Sequence, residues 1–539
     1  MYRARHAGGR RRDFWDGDDP GQLLQLSCQS EILTVTAPSP TPAARAPLRT
    51  GSVGGRRLWV AFALLSATFF MLLVDFSIVS IALPSMERDL HMRASQGQWI
   101  VSTYAIFLAG FLMLTGRCAD IYGRYRFFIA GLVIFTVASF VGGMAQSGAM
   151  LITMRALQGL GAALVNPAAL AIVLSMFAPG PARSRAIALW GTIGSLGVAA
   201  GMLFGGILVQ YLGWRSVLYV NVPIAIAIVA LASSYLPRDR GDPRHPKLDV
   251  LGAVLLTAGL VTFVYTIESI PVRGIASWET IAGICATLLL FLALVASERR
   301  AAEPILPPRL FKYPDLLSGA WIVMLQPMSY AGIMVFSSVY VQRVSGYDPL
   351  EAGLAFLPSA LIISFAAAPL TMPIARAIGV RRMCIFTGII MIAGEAILLL
   401  MQPQSSYWAI LFPATCIGGF GGMLAYQSGM IAGLAHVEDA DEGSASAALS
   451  FALQLGIGFG VALGAAVQEL QSNALARNGA TTSSALAGGL HASFWASIAF
   501  GVCMVAAALV GLRHAATAEI PLRHYVAFGK LHHRISVRS

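Results

Sequence analysis

The chain is short of charge. Only 12% of its 539 residues are Asp, Glu, Lys or Arg, against roughly 25% in a soluble domain. Hydrophobic residues make up 57%, and the mean hydropathy is +0.70. So little charge cannot cover a water-soluble globule of this size, which leaves an integral membrane protein. The six cysteines, Cys28, Cys118, Cys285, Cys384, Cys416 and Cys503, contain no CxxC pair and mostly lie in or beside apolar runs. That pattern argues against a disulfide framework and a zinc site. HExxH, GxSxG and the phosphate-cradling GxxxxGKS/T are all missing, so nothing points to hydrolysis or ATP use. We expect no enzyme, no metal and no cofactor.

What the chain has is long apolar runs. A spanning helix needs about 20 apolar residues. Fourteen such runs are present, at about 58–83, 97–116, 127–147, 149–175, 185–209, 216–236, 249–269, 279–297, 315–341, 351–372, 383–401, 407–433, 444–468 and 490–512. Only helices satisfy their own backbone groups over such lengths in lipid. The net charge of +11 would suggest nucleic acid in a soluble protein. Here the basic residues sit between the runs and report topology, and no nucleic-acid partner is expected. Thirty of the 37 Lys and Arg fall in the tails and even-numbered loops, and six in the odd-numbered loops. This bias predicts a multi-pass plasma-membrane protein with both termini in the cytoplasm.

Residues 1–56 begin Arg-rich and turn Pro/Ala/Thr-rich, with no signal-peptide core, and read as a disordered cytoplasmic tail. Residues 514–539 read as a basic cytoplasmic tail. One even-numbered loop has no basic residue and instead carries Glu438, Asp439, Asp441 and Glu442. A solvated acidic turn is the expected reading, with a cytoplasmic gate contact as the alternative.

Asp75, Arg155, Glu268 and Glu395 are acidic or basic residues that fall inside apolar runs. Asp75 and Arg155 are the most telling, because a charge at mid-membrane costs roughly 2.5–3.5 kcal/mol on insertion scales. Asp75 lies about two-thirds along an outward run and Arg155 about a quarter along an inward one, so the two share a depth and can face one cavity. A carboxylate that loads and loses a proton is a physical basis for proton coupling. Glu395 is a second candidate. Glu268, at the end of the seventh run, reads as interfacial, with a cavity role as the alternative. Gln158, Gly159 and Gly161 follow Arg155, and Gly191, Gly194, Gly197, Gly201, Gly205 and Gly206 stripe the fifth run. Small residues allow close helix approach, for tight packing, for gating, or for both.

Between the second and third runs stand Gly116, Asp120, Gly123, Arg124 and Arg126. Their spacing, G-x-x-x-D-x-x-G-R-x-R, resembles the signature of the major facilitator superfamily. Residues 74–84, with Asp75, resemble the first-helix motif of its fourteen-span drug–proton antiporter branch, the EmrB/QacA subfamily. Phe76 and Ser80 stand where that motif usually has Thr and Asn. Arg155 with Gln158 and Gly159 resembles the fourth-helix motif, and Trp99, Tyr104, the stretch Tyr219 to Pro223, the stretch Gln342 to Pro358 and the stretch Gly443 to Ala447 also fit. Gly201, Gly205 and Gly206 resemble the fifth-helix antiporter motif, but Met202 replaces its proline. Aligning Gly379 with Gly123 gives a worn second copy of the signature, with Arg376 and Arg382 in place of Asp120 and Arg126.

The resemblance implies an all-α major facilitator fold, with six-helix bundles at 57–236 and 313–513 and two inserted helices within 237–312. It implies proton coupling through Asp75 and Arg155, and a cytoplasmic latch at Gly116 to Arg126. The implied activity is export of drugs or other amphiphilic small molecules in exchange for protons, driven by the proton-motive force, with antibiotic resistance as its consequence. The alternative is the same fold moving one specific metabolite inward or outward, since Met202 weakens the export signature. A receptor or enzyme on a polytopic scaffold is disfavoured. Candidate cavity residues are Tyr104, Gln158, Asn166, Gln326, Tyr330, Glu395, Gln427 and Gln454, each with helix packing as the competing reading. The expected partners are the substrate, protons and the bilayer. A monomer is expected, with a periplasmic adaptor only where the cell has an outer membrane.

Overall fold

A computed structural model describes residues 55–177, 181–239, 249–301, 304, 307–438 and 441–512. The two expected tails, 1–56 and 514–539, lie almost wholly outside the described residues, as does Asp439. The described chain is helical, with no strand among the described residues. Its helices are α1 (Gly55–Asp89), α2 (Ala94–Tyr122), α3 (Arg124–Gly143), α4 (Gly148–Met176) and α5 (Pro181–Leu212). Next come α6 (Ser216–Tyr235), α7 (Val250–Arg273), α8 (Trp278–Glu298) and α9 (Pro314–Arg343). The last five are α10 (349–378), α11 (Val380–Leu398), α12 (Tyr407–Leu434), α13 (Glu442–Arg477) and α14 (Thr482–Gly511).

Thirteen of these fourteen are long and apolar enough to cross a membrane. The fourteenth, α11, carries Arg381 and Arg382 at its start and Glu395 near its end. The expected count of fourteen therefore holds as helices, while charge sets α11 apart from the rest. The protein is a multi-pass membrane protein.

Within the first six helices α1 packs on α5, and α4 on α2 and α3. Within the last six, α9 packs on α12, α13 and α14, and α11 on α12. Contacts that join the sets include α5 with α10, α2 with α13, and α1 with both α9 and α10. The pair α7 and α8 lies beside the α2–α13 seam, with α7 against both and α8 against α7. Leu288, Leu289 and Leu292 of α8 are more than half exposed, as expected of a helix whose outer face meets lipid tails.

The two ends of the assembly differ. At one end Arg57 at the start of α1 donates to the Ser234 carbonyl at the end of α6, at 2.6 Å. There too Arg381 at the start of α11 donates to the Leu509 carbonyl near the end of α14, at 2.9 Å. We call this the terminal end. At the far end Asp89, closing α1, pairs with Arg215 at 2.6 Å and accepts from Trp214 at 3.0 Å, and Glu87 pairs with Arg343 at the end of α9.

Three helices are locally widened, α12 at its first turn, Tyr407–Leu411, and two others in their interior. α9 contains a π turn at Gly332–Phe336, five residues after Pro327, and α10 one at Ile363–Ala367, five after Pro358. A proline cannot donate its backbone bond, and an i→i+5 turn is one way a helix absorbs that defect. α5 has no proline after Pro181 and runs as uninterrupted α-helix through Met202.

Candidate functional site

Asp75 and Arg155 meet. Arg155 Nη1 lies 2.7 Å from Asp75 Oδ2, and both side chains are wholly buried. The sequence placed them at one depth, and the structure makes them an ion pair between α1 and α4 closed off from solvent, rather than two groups on an open wall. Glycines seat α4 closely on α2 and α3: a Cβ at Gly159 would strike the Tyr104 carbonyl of α2, and one at Gly161 would lie 2.8 Å from the Gly131 carbonyl of α3. Ser147 fixes the start of α4 by accepting from the Met150 N–H at 3.3 Å.

The pair is embedded in a polar network. Arg155 Nε donates to the Ile100 carbonyl at 2.9 Å, and Nη1 also reaches Gln158 Oε1 at 2.9 Å. The guanidinium lies 4.4 Å from the centre of the Tyr104 ring, a cation–π contact. Gln158 Nε2 donates to Ser139 at 2.7 Å and approaches Asp75 Oδ1 at 3.3 Å. Asn221 Nδ2 donates to the same Oδ1 at 2.7 Å. A buried charge is tolerable only with such partners. Tyr104 and Gln158, expected as cavity residues, thus belong to the shell of this pair. Nothing in the sequence around Ser139 singles it out, and Asn221 stands out only through the Tyr219 to Pro223 motif. Neutral polar residues in an apolar run carry too little signal to single out.

The signature turn sits at the terminal end. Gly123 joins α2 directly to α3 at φ 108°, a conformation that disfavours any side chain. Asp120 Oδ1 takes both Nε and Nη2 of Arg124, at 3.0 and 2.8 Å, and Arg124 Nη1 reaches the Ala171 carbonyl of α4 at 3.3 Å. Asp239, just past α6, accepts from the backbone N–H groups of Arg124 and Tyr125 at 2.9 and 3.1 Å. A carboxylate there satisfies orphan donors and meets the positive end of the α3 dipole. Asp239 lies in a connecting loop, and no local pattern marked it. Arg126 is exposed. Gly116 faces Pro167 of α4, with 3.4 Å from a built Cβ to the ring.

The fifth-helix glycines divide between two neighbours. A Cβ at Gly201 would strike Ser77 Oγ and lie 2.8 Å from the Val74 carbonyl, the residues flanking Asp75, and Gly205 faces Ile78 and Ile81 of the same helix. Gly206 instead faces α10, 2.7 Å from the Pro349 carbonyl, while Gly353 of α10 would meet the Met202 carbonyl at 2.6 Å. One helix therefore packs on the carrier of Asp75 and on the opposite bundle at once.

Several expectations need correction. Glu268 is not interfacial: it is 6% exposed, and neither carboxylate oxygen has a hydrogen-bond partner among the described residues. Glu395 does not line the small cavity that Tyr330 shares with Met202 and Phe356. It is wholly buried on α11, accepting from Ser329 of α9 at 2.8 Å, and Ser329 Oγ lies beside Gly501 of α14. The acidic turn is more than solvated. Asp441 is 3% exposed and takes Arg309 at 2.9 Å and the Tyr313 hydroxyl at 3.0 Å, while Glu438 takes Lys312 at 3.3 Å. Of the remaining cavity candidates, Tyr330 lines a small cavity of about 20 Å³ with Val198, Met202 and Phe356, between α5, α9 and α10. Gln326 is buried beside Gly422. Asn166, Gln427 and Gln454 are half-buried.

Residues 64–461 match the model of the Major Facilitator Superfamily. The chain is 36% identical over 413 residues to the cephamycin export protein CmcT of Amycolatopsis lactamdurans, covering 75% of this chain and 83% of that one. It is 33% identical over 450 residues to the puromycin resistance protein pur8 of Streptomyces alboniger, covering 83% and 89%. Among solved structures, the inward-facing, unoccupied form of a bacterial homologue of the human lysosomal transporter Spinster superposes with a TM-score of 0.61 at 16% identity, over 85% of this chain and 98% of that one. At that identity the likeness speaks for the fold alone.

Proposed function

The chain belongs to the major facilitator superfamily, and from that premise we propose that it exports amphiphilic small molecules, antibiotics among them, in exchange for protons. The protein is a transporter and not an enzyme. The observation that carries the proton part is the Asp75–Arg155 ion pair at 2.7 Å with both side chains wholly buried. A proton that neutralises Asp75 weakens its hold on Arg155, and so changes how α1 and α4 are tied together. α1 in turn packs through Gly201 and Gly205 on α5, which reaches the second bundle through Gly206. Loading a proton at one place thereby bears on the contact that alternating access must open and close. The printed names of the relatives, export of cephamycin and resistance to puromycin, support export as the direction.

The finer features belong to the same reading. We assign the chain to the drug–proton antiporter branch, with bundles at 57–236 and 313–513, the terminal end in the cytoplasm and the plasma membrane as its site. The test is flux in proteoliposomes under an imposed pH gradient, with lipophilic cations, antibiotics and neutral metabolites as substrates. Gradient-driven movement of at least one compound, lost in Asp75→Asn, supports the reading. Substrate movement indifferent to the pH gradient overturns the proton coupling, and no movement of any compound overturns the export role.

A further inference from the structure

We propose that Asn221 is a positioning residue that follows the protonation state of Asp75, its side-chain amide turning over as the carboxyl gains or loses a proton. This rests on the proton-exchange reading above. The two oxygens of Asp75 are held differently. Oδ2 meets the Arg155 guanidinium, and Oδ1 meets two amide nitrogens, Asn221 Nδ2 at 2.7 Å and Gln158 Nε2 at 3.3 Å. An ionised carboxylate only accepts, and both amides face it with their donors. A protonated carboxyl also donates, and then needs an acceptor within reach.

Asn221 can supply one. Its Oδ1 is buried and has no hydrogen-bond partner among the described residues, and the residue is wholly buried. A half-turn about Cβ–Cγ exchanges Nδ2 for Oδ1 and presents an acceptor to a proton on Asp75 Oδ1, with no existing bond broken except the one to Asp75 itself. Gln158 cannot do this at equal cost. Its Oε1 is taken by Arg155 and its Nε2 by Ser139, so turning it breaks both.

The surroundings support a change confined to Asn221. The titratable groups facing Asp75 are Arg155 from α4 and Tyr104 from α2. α3 contributes Ser139 to the network through Gln158, and α5 presents Gly201 to the Asp75 segment of α1. Arg155 keeps the Ile100 carbonyl, Gln158 and the Tyr104 ring when Asp75 is neutral, so the cation is still held. Asn221 opens the second segment of α6, just after the interruption at Val220. Pro223 follows and cannot donate to the Tyr219 carbonyl four residues back. The backbone there is less firmly tied than a regular helix, and so is suited to passing a side-chain change into α6.

The test is pH-difference infrared spectroscopy of the purified protein in lipid, which reads Asp75 whether or not anything is transported. The protonated-carboxyl band is assigned by its loss in Asp75→Asn. In the wild type we expect that band to rise together with an amide signal that is missing in Asn221→Leu. In Asn221→Leu we expect the carboxyl band at higher frequency, for lack of an acceptor. Asn221→Ala carries the same readings should the leucine variant fail to fold. A carboxyl band unchanged in frequency in these variants overturns the role of Asn221 and leaves proton exchange at Asp75 standing. A wild-type difference spectrum with no protonated-carboxyl band that Asp75→Asn removes overturns both.

Discussion

Gly379 repeats the geometry of Gly123. Each joins two helices with no intervening loop, at φ 81° and 108°, and each bonds its N–H to the carbonyl four residues back, Ala375 and Ala119, at 2.9 and 3.0 Å. The second copy of the signature has lost its acidic residue, yet its turn survives, because only a glycine holds this backbone without strain. A Cβ at Gly379 would meet nothing within 4 Å, so its substitution isolates the backbone term. We expect Gly379→Ala to lower stability by about 1–2 kcal/mol, read as a lower thermal midpoint in detergent. An unchanged midpoint would mean the turn relaxes freely.

Breaking the central pair should cost more. Removing one partner of a buried ion pair leaves an uncompensated charge, worth about 3–5 kcal/mol. Asp75→Asn retains hydrogen bonding and should stay folded while losing gradient-driven transport. Arg155→Leu should be more destabilising than the double variant Asp75→Asn/Arg155→Leu, in which neither charge remains. Thermal midpoints and proteoliposome flux measured side by side check this. A double variant less stable than either single one would show that the network, and not the pair, holds α1 to α4.

How much of this was legible in the sequence follows from what signals charge gives. Asp75 and Arg155 stood out because mid-membrane charge is costly and rare. Asn221 and Ser139, which complete the site, are neutral and look like any polar residue in a helix, and Gln158 is legible only through its place beside Arg155 in the fourth-helix motif. Glu268 was misread because its burial depends on which helices cover the end of α7, and no local pattern encodes that. Asp441 was misread because Arg309 and Tyr313, its partners, lie 132 and 128 positions away along the chain. The fold was legible at the level of helix count, since long apolar runs admit one backbone solution in lipid. The π turns of α9 and α10 were not, although Pro327 and Pro358 mark their neighbourhood.

The signature turn should matter for turnover more than for stability. The Asp120–Arg124 pair is partly exposed, at 38% and 21% of the two side chains, and such a pair contributes under about 1 kcal/mol. Asp120→Ala should therefore leave the thermal midpoint almost unmoved and still slow transport several-fold. Asp239→Ala should behave differently, costing about 1 kcal/mol through the loss of two backbone bonds at the start of α3. Wild-type flux in Asp120→Ala would reduce the turn to a topological feature.

Asp441 should tie the start of α13 to the segment before α9. It is 3% exposed and faces Arg309, Lys312 and Tyr313. Asp441→Asn keeps the shape and the Tyr313 bond but leaves two cations facing no acidic partner at that position. We expect faster hydrogen exchange over residues 307–316 and at the start of α13, with little change elsewhere. Exchange that rises evenly over the whole protein would mean a general loss of stability and not a local tie.

The contact between α5 and α10 yields a prediction about movement. Gly206 lies against the Pro349 carbonyl and Leu350 Cα, and Gly353 against the Met202 carbonyl, so backbone meets backbone near the far end. A side chain at Gly353 cannot fit while α5 and α10 stay in contact, because what it would strike is main chain on a continuous helix. Each bundle is packed internally, so the cheaper response to Gly353→Leu is separation of the two helices and not unfolding. Ser359, 5% exposed, lines the small cavity behind this contact. With the six native cysteines replaced, a cysteine placed at Ser359 should react with a membrane-impermeant maleimide several-fold faster in Gly353→Leu than without it. Transport should slow, since the closed form is no longer reached, while the thermal midpoint drops only modestly. Unchanged labelling together with normal flux would mean that α10 shifts to accept the side chain, and that the glycine contact is packing with no part in the transport cycle.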